Sequence, residues 1–236
     1  ITLLESPYPD FDGLNLTFEV LEGVQKHATA RSAPDLGNYP CASLEGQIAD
    51  LADEIAYYSH DVQDGIEAGL IAPARLREVT LCAEAAAAGG LNLAEADTKE
   101  ARLALARILS NTLIEDVLLA TAERIGKAGV HTADDVRRHS ELLVGYSEPM
   151  AAKTKQLREF LYANLYFHHD VNGANQRACD MMASVFGAYL QDPGEIGREA
   201  TRRVPNCGLH RAAGDYIAGM TDRYLLSEHA RLFDRP

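Results

Sequence analysis

Asp50-Leu51-Ala52-Asp53-Glu54-Ile55-Ala56-Tyr57-Tyr58-Ser59-His60-Asp61 decides how this chain is read. It lies within a segment from about Ser43 to Ala68 whose apolar residues keep helical spacing. At 100° per residue, Leu44, Ile48, Leu51, Ile55, Tyr58, Val62 and Ile66 fall on one arc about 80° wide. Asp50, Asp53, Tyr57, Asp61 and Asp64 fall on a second arc of similar width, roughly opposite. Ala49, Ala52 and Ala56 lie between the arcs, with His60 beside them, and small residues there predict close approach of neighbouring helices. A solvent-facing stripe normally mixes Lys and Arg with its acids, whereas this one carries four carboxylates, a tyrosine and no cation. Two readings stand side by side. The arc is a solvated face in an acidic chain, or it is a metal or substrate site that takes its cation from elsewhere.

Working outward, the other periodic segments are helical too, and no alternating strand pattern is found. Asn15 is placed to cap a helix ending near His27, and residues 28–42 read as a polar Pro/Gly-bearing loop. Pro73 opens a helix that Gly89-Gly90 stops, and Asp97-Thr98-Lys99-Glu100 reads as a capping box for a long helix to Gly126 or Gly129. Thr132 opens a helix to about Val144, and Ser147-Glu148-Pro149 another that runs to His168. Residues 174–190 and 209–232 supply two more. The expected fold is all-α with seven or eight helices.

The whole composition narrows the function classes. The 236 residues carry a formal charge of −13, which disfavours nonspecific nucleic-acid binding. No apolar run approaches the ~20 residues that span a bilayer, and no signal-peptide pattern opens the chain, so no membrane partner and a cytoplasmic location are expected. Cys41, Cys82, Cys179 and Cys207 are scattered and read as reduced thiols. There is no P-loop, no GxGxxG and no GxSxG elbow.

Three segments together resemble one family. They are Gly13-Leu14-Asn15-Leu16-Thr17 with Leu21-Glu22-Gly23-Val24, then Ser43 through Asp61, and then Asp215-Tyr216-Ile217-Ala218-Gly219-Met220-Thr221-Asp222-Arg223-Tyr224 with Glu228-His229 and Leu232-Phe233. In order and rough spacing these are similar to the bacterial deoxyguanosinetriphosphate triphosphohydrolases of the HD-domain superfamily. The resemblance implies an all-α, divalent-metal enzyme (Mg²⁺ or Mn²⁺) that splits a deoxynucleoside triphosphate into deoxynucleoside and triphosphate, and it implies a homo-oligomer. It makes Asp53 a metal ligand and Tyr57 and Asp61 the pair against the deoxyribose 3′-hydroxyl. Residues at i, i+4 and i+8 project in nearly one direction, which suits that pairing. Single-stranded DNA as an effector is known in the family, though this acidic composition gives it no independent support.

The family's remaining metal ligands, a histidine and a His-Asp pair, stand upstream of the Gly13 segment, where only twelve residues precede. The expectation is therefore the C-terminal portion of such an enzyme, lacking those ligands. Residues 1–70 would be the distal part of the catalytic core, and residues 71–236 a helical region packed on it. His168-His169-Asp170 stands too late to be the missing pair and reads as a helix-terminal feature. The alternative to an enzyme is a non-catalytic nucleotide-binding or assembly module of the same fold.

Overall fold

The computed structural model describes residue 10, residues 13–28 and residues 39–234. Ten α-helices, linked by short 3₁₀ turns and one π turn, carry the chain, with no strand among the described residues. Most of the expected loop 28–42 lies outside the described residues. The all-α reading holds.

Residues Leu16–His168 form one compact unit. Its α1 (Phe18–Ala28) and α2 (Leu44–Glu67) precede a 3₁₀ turn (Pro73–Glu78), α3 (Thr80–Ala88), α4 (Lys99–Ala128), α5 (Ala133–Arg138) and α6 (Glu148–Leu161). Ser43 caps α2 by accepting from the Gly46 N–H at 3.2 Å. From α2, Ile55, Tyr58, Val62 and Ile66 enter a core that also buries Leu81 and Cys82 of α3, Leu105, Leu109 and Leu113 of α4, and Leu157 and Leu161 of α6. After α2 the chain turns back so tightly that the Leu70 and Ile71 N–H groups both reach the Gly65 carbonyl at 2.9 Å. A Cβ on Gly65 would stand 2.5 Å from the end of the buried Ile71 side chain, which would have to shift to admit it.

Several boundaries differ from the sequence expectation, each for a physical reason. Asn15 does not cap α1: it holds a positive φ of 50°, and the helix starts at Phe18. The helix expected from Pro73 is a 3₁₀ turn and an α-helix separated by extended Val79, whose side chain is buried in the core. Thr98 rather than Asp97 caps α4, accepting from Ala101, which shifts the frame so that Glu100 cannot complete a capping box. The helix opened by Thr132 ends at Arg138 rather than near Val144. There buried Gln47 takes over the backbone donors, its Oε1 accepting from the Leu143 and Val144 N–H groups at 2.9 and 3.0 Å. With those groups satisfied, Leu143 and Val144 sink into the interior without helical hydrogen bonds.

The arcs on α2 are also redistributed. Its C-terminal half buries the expected apolar residues, but Ile48 is 52% exposed and Leu44 half-buried, because Gln47 faces inward in that half. Ala49, Ala52 and His60 are exposed rather than packed. The close approach to α4 instead runs through buried Ser59, which accepts from Ser110 at 2.8 Å.

The second unit includes His169 onward. It holds α7 (His169–Gln191), α8 (Arg198–Cys207), α9 (Leu209–Ala218) and α10 (Asp222–Phe233) around Val185, Tyr189, Ile196, Ala200 and Ala213. The segment 209–232, expected as one helix, is two: α9 stops at Gly219, and Thr221 caps α10 by accepting from the Tyr224 N–H. Asp215 and Asp222 therefore do not share a helix face. Asp215 is held by Arg203 at 2.9 Å and Arg211 at 2.8 Å. The helix α8 was not foreseen, since its Pro205 and run of arginines mask any apolar period.

Cys41 and Cys82 are buried and Cys179 and Cys207 exposed, all four free, as expected. No helix among the described residues is long and apolar enough to cross a membrane.

Candidate functional site

Asp53 and Tyr57 stand one turn apart on the same face of α2 and together line a cleft of about 290 Å³. Arg158, near the C-terminal end of α6, and Tyr162 and Tyr166, in the turn after it, form the opposite wall. Beyond Leu161 the helix widens into a single π turn, Tyr162–Tyr166. A wide turn inserts one residue into the helical phase and so re-aims the side chains after it. Here it brings the Tyr166 hydroxyl onto Asp61, to whose Oδ2 it donates a hydrogen bond. The Tyr166 ring centroid lies 6.0 Å from that of Tyr57 and 5.0 Å, edge-on, from that of Tyr162. Asp61 itself is half-buried and does not line the cleft, to which it is tied only through Tyr166, while Tyr57 is 55% exposed and Asp53 exposed.

The electrostatics result from this packing. Burial pushes the Asp61 carboxyl up, and the Tyr166 hydrogen bond pulls it partly back. Burial and the neighbouring Asp61 carboxylate hold the Tyr166 phenol well above the usual range. Deeper in, burial raises Glu54 against the pull of Arg158, and burial together with Glu54 pushes Tyr58 up to about 12. Arg158 lines the same cleft as Asp50 and Asp53 of the acidic arc, and its charge acts on Glu54, which lines the cleft with them.

Of the three residues singled out on the arc, Asp53 and Tyr57 line the cleft, and Asp61 lies outside its lining, bonded to the lining residue Tyr166. The Asp53 carboxylate is a hard oxygen donor of the kind that Mg²⁺ and Mn²⁺ take. No cluster of three or more ligand-type side chains among the described residues includes Asp53. His168 and His169 do not end a helix side by side: the His168 N–H closes on the Leu165 carbonyl after the π turn, and His169 begins α7, paired with Asp170 at 3.0 Å. Sequence reasoning missed Arg158, Tyr162 and Tyr166. Their i, i+4, i+8 spacing was the available signal, but it gains meaning only when set against α2, about a hundred residues away in the chain.

Comparison with known proteins agrees with the resemblance read from the sequence. Residues 144–231 match a family described as a phosphohydrolase-associated domain. A protein of Caulobacter sp. (strain K31) named deoxyguanosinetriphosphate triphosphohydrolase-like is 40% identical, the match covering 99% of this chain and 64% of that protein. Like-named proteins of Deinococcus deserti and Bordetella pertussis are 40% and 39% identical, with 98% of this chain and 59% and 62% of theirs covered. The chain spans about three fifths of the length of these relatives.

Proposed function

We propose that this chain, related along nearly its whole length to deoxyguanosinetriphosphate triphosphohydrolase-like proteins, supplies the sugar-recognising wall and one metal ligand of a deoxynucleoside triphosphate triphosphohydrolase acting on dGTP. The observation that carries the reading is the cleft that Asp53 and Tyr57 share with Arg158 and with Tyr166, the tyrosine that holds Asp61. Asp53 would hold a divalent cation, Mg²⁺ or Mn²⁺, which supplies polarisation of the α-phosphate and a more acidic water. With Oδ2 of Asp61 occupied by Tyr166, Oδ1 is left to accept from the deoxyribose 3′-hydroxyl. The hydroxyl of the exposed Tyr57 meets the same 3′-hydroxyl beside Asp61, and the Arg158 guanidinium faces the negative charge of the phosphates. In the reaction the water oxygen bonds to the α-phosphorus and the bond from that phosphorus to O5′ breaks. O5′ takes the proton, releasing deoxyguanosine and triphosphate.

The test is triphosphate release from dGTP with Mn²⁺ or Mg²⁺, measured on this chain and on the chain joined to the part of the Caulobacter relative that lies outside the match. Asp53→Ala should abolish whatever release is seen. Release that survives this substitution would remove Asp53 from the site. Tyr57→Phe and Asp61→Asn should narrow the preference for dGTP over its 3′-deoxy analogue, and an unchanged preference would end their assignment to the sugar.

A further inference from the structure

Between Leu103 and Leu119 of α4, seven side chains are exposed: Leu103, Arg107, Asn111, Ile114, Glu115, Leu118 and Leu119. At 100° per residue they fall on one arc about 160° wide, opposite the buried Leu105, Leu109 and Leu113. Four of the seven are leucine or isoleucine, and Leu118 and Leu119 are 65% and 75% exposed. A helix face that meets only water carries polar and charged side chains, and apolar residues scattered singly over a surface need no partner. Four along one stripe about 24 Å long do. None of the seven lines the tyrosine cleft or belongs to the apolar core.

The polar members of the stripe indicate what covers it. Several other charges of α4 are used within the chain: Arg102 pairs with Glu67, Asp116 accepts from Ser147, Arg124 donates to the Tyr146 carbonyl and Glu123 pairs with Lys127. Arg107 and Glu115 lie on the stripe instead, at equal separations on either side of Asn111. Leu103 and Leu119 flank the same residue symmetrically, and so do Ala104 and Leu118. The stripe is thus its own complement under a two-fold rotation. An antiparallel copy of α4, turned about an axis at Asn111, sets each Arg107 level with Glu115 of the other copy, within reach across the seam. On the flanks Leu103 meets Leu118 of the other copy and Leu119 meets Ala104, each pair within about 1.5 Å of the same height. The two Asn111 amides face each other on the axis, where each can donate to the other's carbonyl. A slide of one turn, about 5.4 Å, parts the opposite charges. A parallel copy sets arginine on arginine and glutamate on glutamate, which repel.

We propose that this face of α4 is a two-fold interface with a second copy of this chain, the two α4 helices running antiparallel and centred on Asn111. A closed dimer uses one self-complementary patch on both subunits. An unrelated partner gives no reason for charged and apolar groups to stand symmetrically about a single residue.

The experiment measures the mass of the 236-residue chain by analytical ultracentrifugation between about 1 and 100 µM. Reversible dimerisation is expected, and Leu118→Glu should abolish it while leaving the helix content by circular dichroism unchanged. Arg107→Glu and Glu115→Arg should each raise the dissociation constant by about tenfold or more, and the double variant should recover most of that loss. The rescue reads the pairing between copies, because two positions eight residues apart on one helix do not meet within a copy. Asn111→Cys, in a chain whose exposed Cys179 and Cys207 are replaced by serine, should yield a disulfide-linked dimer under mild oxidation. Arg107→Cys in the same background should yield none, since the two copies of that position lie about 12 Å apart along the seam. A chain that stays monomeric, a dimer indifferent to Leu118→Glu, or charge variants that the double variant does not rescue would each overturn the proposal.

Discussion

Each unit of this protein contains a tyrosine that donates to a carboxylate, and the two pairs are built in opposite ways. In the second unit, Tyr189 donates to Glu228 at 2.6 Å with both side chains buried. Arg231 closes on both oxygens of Glu228, at 2.6 and 2.8 Å, and also reaches Glu195. These bonds hold the Glu228 carboxyl below its usual range, with the arginine as the leading cause. In the first unit, Tyr166 donates to a half-buried Asp61 that is bonded to no arginine among the described residues, and burial leaves its carboxyl above the usual range. Glu228 is a carboxylate whose charge the fold satisfies. Asp61 is one whose charge the fold leaves partly unmet, behind a tyrosine that lines a cleft. Residues that bind ligands are commonly held at some cost to stability, whereas residues that lock helices together are not.

Substitutions at the two pairs should separate along this line, and the largest effect is expected at Glu228. Glu228→Ala orphans the buried Tyr189 hydroxyl and removes a partner of Arg231, and should cost about 3 kcal/mol in urea unfolding. A cost near zero would erase the contrast. Tyr189→Phe should cost about 1–2 kcal/mol, because the carboxylate keeps its arginine. Tyr166→Phe should cost under about 1 kcal/mol, since its partner is half-exposed, yet it should weaken discrimination against 3′-deoxy nucleotides as Asp61→Asn does. Asp61→Asn itself should be neutral or slightly stabilising at neutral pH.

The pH dependence sharpens the comparison, because the two shifts have opposite signs. The depressed Glu228 stabilises the fold above the ordinary glutamate range, and that contribution is lost as pH falls through its folded value. The advantage of the natural protein over Glu228→Gln should therefore shrink in acid. Asp61 is raised, so its protonated form is the better accommodated one, and that benefit is lost as pH rises through its folded value. The gain of Asp61→Asn over the natural protein should accordingly appear on going from acid to neutral pH. Unfolding midpoints of both variants between about pH 3 and 7 check the two signs.

What the sequence determined by itself was local and periodic. Ser43 as a cap, the long α2, the stop at Gly89-Gly90 and the single face shared by Asp53, Tyr57 and Asp61 all come from helical spacing and capping chemistry within one segment. The resemblance added which chemistry is proposed for that face. Only the tertiary structure decided what stands opposite it. Gln47, a polar residue on the flank of an apolar arc, is buried because Leu143 and Val144 bring it two N–H donors from almost a hundred residues away, and Ile48 is exposed as a result. Tyr166 meets Asp61 because a π turn after Leu161 changes the phase of the helix, and no periodicity in either segment records how the two helices are rotated against each other. Helix formation depends on neighbours three and four residues apart, which a sequence displays. The partner of a side chain in a cleft depends on the packing of whole helices, which it does not.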